Sequence, residues 1–168
     1  PDAAVGALRP GSQLAGSDSI SSEPGAAGRT GYQDDGEITV RWNTSSVIGE
    51  FSFGRSGAET PAFWVDMAQG VVRSVSGKVV EQNPEAFKLS SPLGVAGIRG
   101  TTTLHEIHGD MEIHAVLELG QGHVVVITTT DGRTVVISSS LQMLELHRDS
   151  LEPLLPKDLP EDMRHDFL

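Results

Sequence analysis

The chain has 168 residues, with 12 Lys plus Arg against 23 Asp plus Glu, 19 Gly, 9 Pro and no Cys. That length suits one domain with its own core and disfavours two full ones. A net charge of −11 argues against nucleic acid and anionic membrane, which reward Lys and Arg, and the lack of Cys excludes disulfides, thiol catalysis and cysteine-ligated zinc.

No run approaches the roughly 18 apolar residues that a spanning helix needs. Pro1 to Ala7 lacks the basic and apolar regions of a signal peptide and carries no Met, as expected of a mature or excised form. Residues 1–36 are small and polar, with Leu8, Leu14, Ile20 and Tyr32 set between turn clusters such as Glu23-Pro24-Gly25 and Asp34-Asp35-Gly36. Very short strands joined by tight turns give this pattern, and disorder is the competing reading.

From Glu37 the strand signal strengthens. Ile38, Val40 and Trp42 alternate with polar residues, and Val47-Ile48, Phe51/Phe53 and Phe63-Trp64-Val65 follow at short spacing. The β-branched run from Gly70 to Val80 predicts another strand. Asn83-Pro84-Glu85 predicts a turn, after which Phe87 and Leu89 alternate. Gly109-Asp110 predicts a hairpin that sets His105 opposite His114 and Ile107 opposite Glu112. Asp131-Gly132 predicts a type I′ hairpin with Ile127 opposite Val136 and Val126 opposite Ile137, a ribbon covered on both faces. After Ser140, Pro153, Pro156 and Pro160 break regular structure, and Asp158 to Phe167 predicts one short helix held by Leu159, Met163 and Phe167.

The segment Ser91-Pro92-Leu93-Gly94-Val95-Ala96-Gly97-Ile98-Arg99-Gly100-Thr101 resembles the signature of FecR-type domains, a Thr-Pro stretch running into a Gly-Val/Ile-Arg-Gly-Thr core. Gly70-Val71-Val72-Arg73 with Val75-Ser76-Gly77-Lys78 is similar to the strand that precedes this signature, as is the spacer Asn83 to Phe87. The likeness covers residues 5–140, with the family's usual opening strands expected before Pro1. It implies an extracytoplasmic bacterial β-domain, here without the anti-sigma segment.

Within the signature, Gly97, Ile98, Arg99, Gly100 and Thr101 are the structural candidates. Arg99, flanked by apolar residues, is expected to be covered and paired with a buried acid, so that its removal would cost about 3–5 kcal/mol. Thr101 is expected to order the same bend with its hydroxyl. His105, Glu112 and His114 share one face of the first hairpin. Two imidazoles and a carboxylate can hold zinc or a similar ion or form a pH-sensing patch, whereas a solvated acidic face is the bland alternative. His123, His147 and His165 look incidental, Asp34/Asp35 look solvated, and the tryptophans are assigned to the core. No nucleophile elbow or His-Glu-x-x-His helix occurs, so no enzyme is predicted and no cofactor is expected.

The predicted fold is all-β: many short strands in a β-roll or solenoid-like two-layer sandwich with a short C-terminal helical tail. Residues 1–140 form the FecR-like domain, truncated at its N-terminus, and residues 141–168 a Pro-rich tail packed on it. The expected function is a non-catalytic interaction or signalling module, periplasmic or extracellular, that binds another envelope protein. An anchoring or spacer module within a larger surface protein is the alternative.

Overall fold

The computed structural model describes residues 6–15, 17–52 and 60–165. Among the described residues, thirteen strands form one curled, mixed sheet whose halves fold over each other as two layers. The fold is all-β, as the alternating patterns and Gly-rich turns predict.

The layers share one strand. β1 (Ser19–Ser21), β2 (Gly28–Gly31), β3 (Glu37–Val40) and β4 (Ser45–Ser52) lead into β5 (Ala62–Val75), which is 14 residues long. Up to Gln69, β5 pairs with β4; from Val72 it pairs with β3. Between them lies Gly70 at φ 102°, where a Cβ would come within 2.3 Å of the Thr44 Cα. Only glycine fits so tight a crossing. The Thr44 hydroxyl closes the bend, accepting from the Val71 N–H at 3.1 Å and donating to the Arg41 carbonyl at 2.6 Å.

Beyond β5, one turn of helix α1 (Val79–Gln82) precedes β6 (Phe87–Ser90) and β7 (Gly94–Ile98). Val79 and Val80 were expected to extend the strand; instead they turn helical and bury both side chains. β6 runs parallel to the first half of β5, and every other pairing is antiparallel. β8 (Thr101–His108) pairs with the second half of β5 and with β9 (Met111–Leu119). β10 (Val125–Thr129) and β11 (Thr134–Ile137) extend the first layer beyond β7, and β12 (Gln142–His147) and β13 (Lys157–Asp158) extend the second beyond β9.

The inner faces of both layers form the main core. Phe63 stacks on Phe87 at 4.6 Å and Tyr32 closes on Phe63 at 4.5 Å, with Val65, Ile98 and Ile127 from one layer meeting Val72, Val116 and Leu144 from the other. The second layer is dry on its outer face as well. There Val71, Leu104, Ile113, Ala115 and Met143 are covered by Leu159, just before α2 (Glu161–His165), with Met163 packed against the same cluster. Phe167 lies outside the described residues.

Three local expectations need correction. The turn at Asp131-Gly132 is a three-residue loop, not a two-residue one: the Gly132 N–H donates to the Thr129 carbonyl at 2.9 Å and the Thr129 N–H to the Arg133 carbonyl at 2.8 Å. Positive φ occurs at Gly132 but not at Asp131, giving a type I turn closed by a glycine bulge. The register therefore shifts to Ile127 opposite Val135 and Val126 opposite Val136. With Val136 at 49% exposure, the outer face of this ribbon is open. Residues 142–147 of the expected tail are an integral strand between β9 and β13. The two tryptophans lie at the surface, Trp64 donating to Asp66 at 2.9 Å.

Candidate functional site

The β8–β9 hairpin turns at Gly109, φ 56°, and its register matches the sequence expectation of His105 opposite His114 and Ile107 opposite Glu112. Side chains alternate across a strand. Thr103, His105, Glu112 and His114 therefore point towards the other layer, while Leu104, Ile113 and Ala115 face the C-terminal segment.

Their hydrogen bonds join into one buried chain. The Ser74 and Thr103 hydroxyls meet at 2.6 Å, Thr103 Oγ1 meets His105 Nε2 at 2.9 Å, and His105 Nδ1 meets His114 Nδ1 at 2.8 Å. His114 Nε2 reaches Glu112 Oε2 at 3.2 Å. The carboxylate then leaves its own layer: Oε2 accepts from the Ser91 hydroxyl at 2.6 Å and Oε1 from the Leu93 N–H at 2.8 Å, both in the β6–β7 turn. The same hydroxyl lies 2.9 Å from the Gly94 carbonyl, so its one proton is shared between the two acceptors. His105 and Glu112 are fully buried and His114 nearly so. Burial first, and the adjacent His114 second, push the His105 imidazole well below its ordinary value.

This arrangement corrects the solvated-face reading and bears on the metal reading. His105, Glu112 and His114 do come together, but their ring nitrogens are committed to one another. A metal ion needs lone pairs that converge on one point, whereas here two Nδ1 atoms face each other across a single proton. Among the described residues, no group of three His, Cys, Asp or Glu is placed to hold a metal ion.

The segment Gly97 to Thr101 runs from the end of β7 into β8. Ile98 is fully buried, opposite Phe87 and Val125, and Gly97 lies opposite Lys88 and Val126. Arg99 meets half of its expectation. Its side chain is largely covered, with Nε buried and without a hydrogen-bond partner among the described residues, but the carboxylate it pairs with, that of Glu85, is 60% exposed. The reason is position: Arg99 follows the last residue of β7, where alternation turns its side chain away from the core that receives Ile98. Thr101 does act through its hydroxyl, donating to the Glu118 carbonyl at 2.6 Å, and its N–H donates to Ser76 Oγ at 2.6 Å. Gly100, at φ 62°, lies under the His123 ring, whose Nδ1 is 3.0 Å from the Gly100 carbonyl. His123 is thus part of this bend.

Two further residues escaped the sequence reading. Asp34 is fully buried, accepting from the N–H groups of Gly36 at 3.1 Å and Val79 at 3.2 Å, while Asp35 stays in solvent and pairs with Lys78. Burial first, and Asp34 second, raise the Tyr32 phenol above its ordinary value. Ser91 belongs to the signature segment, yet it is also the outer end of the polar chain. Parity on β8 and β9 could have gathered the histidines, but nothing local predicts a bond from Glu112 to a turn 21 residues earlier.

No family model matches the chain, and no curated protein matches it. Similar solved structures do exist. Two crystal structures of a "putative anti-sigma factor" from Parabacteroides distasonis superpose with TM-scores of 0.62 and 0.65, at 11% and 12% identity. Each match covers 84% of this chain and 60% of the other, so this chain spans less than two thirds of that protein's length. At such identity the likeness is one of fold.

Proposed function

We propose that the chain is a non-catalytic interaction module of FecR type, acting in signalling at the bacterial envelope by binding another envelope protein. The observation that carries an interaction role is the loop between β12 and β13. Arg133 braces it, its guanidinium donating to the Ser150 carbonyl at 2.9 Å and the Glu152 carbonyl at 3.0 Å. The braced loop presents Leu151 at 92% and Leu155 at 74% exposure. Large apolar groups held out in water by a fixed backbone are what a docking surface needs.

The assignment to signalling draws on the FecR resemblance of residues 91–101 and on the fold shared with the anti-sigma neighbour. A non-catalytic reading is supported by the placement of the densest titratable cluster inside the core, where no substrate reaches it. The net charge of −11 favours a protein partner over nucleic acid. The reading includes no metal or cofactor.

The test is capture from a bacterial envelope extract with the purified chain, in parallel with a Leu151→Asp/Leu155→Asp variant of unchanged circular dichroism. One saturable partner, lost with the variant, is the expected result. Absence of any saturable partner would favour a spacer or anchoring module instead.

A further inference from the structure

The polar chain between Ser74 and Ser91 crosses from one layer to the other, and its direction depends on how many protons it holds. With both imidazoles neutral, His114 Nε2–H donates to Glu112, His105 Nδ1–H donates to His114, and the Thr103 hydroxyl donates to His105 Nε2, using contacts of 2.8–3.2 Å. One added proton reverses the run. His114 then donates from both nitrogens, His105 accepts at Nδ1, and its Nε2–H donates to Thr103. A second added proton has no such solution, because it sets two N–H groups against each other across the 2.8 Å Nδ1 contact. If the proton goes to Glu112 instead, the charge-assisted bonds to Ser91 and Leu93 fall to about half their strength.

The surroundings cannot compensate for added charge. On the elements packed around the array, β5 supplies Val72 and Ser74, and β12 supplies Leu144 and Leu146. The turn supplies Ser91 and Leu93, and the facing layer supplies Leu89, Ala96, Ile98 and Ile127. All are uncharged. The remaining histidine–carboxylate pairs of these strands, His108 with Glu106 and His147 with Glu145, lie on the outer side of the second layer, at its surface.

We propose that this array is an acid-sensitive latch. Protons beyond the first release the β6–β7 turn from Glu112 and part the two layers at that end, while the strands of each layer stay paired. Ser91, half-buried, is the member nearest solvent and the entry point for the proton. The turn that would move carries the start of the Ser91–Thr101 segment, so release would alter the surface that this segment presents.

Amide hydrogen exchange, corrected for its intrinsic pH dependence, tests the latch on the intact chain. The Leu93 N–H, held among the described residues by Glu112, should exchange about ten-fold faster at about pH 4.5 than at pH 7, while the Ile127 N–H between β7 and β11 keeps its protection. In His105→Gln, which cannot form a second imidazolium, the loss of Leu93 protection should move to lower pH. Equal loss at Leu93 and Ile127 would show global unfolding and overturn the proposal. So would a pH-independent Leu93, or a His105→Gln profile identical to that of the wild type. If the variant does not fold, the wild-type comparison of Leu93 with Ile127 decides.

Discussion

The Arg99 guanidinium reaches a Glu85 carboxylate that stands mostly in water, and an ion pair in that setting contributes about 0–1 kcal/mol. Arg99→Ala should therefore lower the unfolding free energy by less than about 1 kcal/mol in urea melts; a loss of several kcal/mol would mean that a buried partner depends on it. The glycine beside it is more demanding. An alanine at Gly100 would place its Cβ 1.8 Å from His123 Nδ1, at a φ of 62°. The left-handed backbone alone costs about 1–2 kcal/mol for an L-residue, and the displaced ring also loses its contact with the Gly100 carbonyl. Gly100→Ala should cost about 2 kcal/mol or more. In a double-mutant cycle, His123→Ala should then cost less in the Gly100→Ala background than in the wild type, because the ring has already moved. Additive losses would show that the ring and the bend are independent.

Strand β5 sets the architecture, because one element belongs to both layers. Its first half pairs with β4 and β6, its second with β3 and β8, and the change of partners falls at Gly70. A side chain there would meet the Thr44 backbone, which cannot rotate away as a side-chain tip can. Gly70→Ala should cost more than about 3 kcal/mol, at the upper end of single-residue effects, with a lower thermal midpoint as the readout. A near-neutral result would mean that the two layers do not depend on this crossing. The glycine was visible in the sequence, but its meaning was not. It read as the start of a strand, because nothing nearby shows that residues before and after it pair with different partners. The Asp131-Gly132 hairpin failed for a related reason: the dipeptide allows a two-residue turn, yet the Arg133 N–H donates to Thr129 Oγ1 at 3.1 Å and to the Asp131 carboxylate at 3.3 Å, which pairs Arg133 with Thr129 and draws Thr130 into the loop. Where one short range fixes the geometry, as at Gly109 between His108 and Met111, the register was legible to the residue.

At the scale of the whole molecule, period-two alternation announced an all-β fold, and the pairing of His105 with His114 could be read from it. Alternation assigns residues to a face but does not say what covers that face, so a solvated surface and a buried array looked alike. The layer contact that buries the histidines is long-range, and its energetic consequence is a dependence on pH. The folded state holds His105 well below its ordinary value of 6.5, through burial and then His114. The unfolded chain therefore takes up a proton below that pH that the folded chain refuses. Stability from this group is complete above the unfolded value and falls as pH drops through it, by up to about 1.4 kcal/mol per pH unit, until the folded value is reached. Glu145, held low by Lys157 and His147 from an ordinary 4.5, acts in the same direction but only nearer that value, as does Asp131, held low chiefly by Arg133. The interval between pH 6.5 and about 5 thus belongs to the histidine. Urea midpoints measured across that interval should fall steadily with acid and level off above about pH 7.5. In His105→Gln the slope should drop by close to one proton, and a slope unchanged by that substitution would place the refused proton on another group.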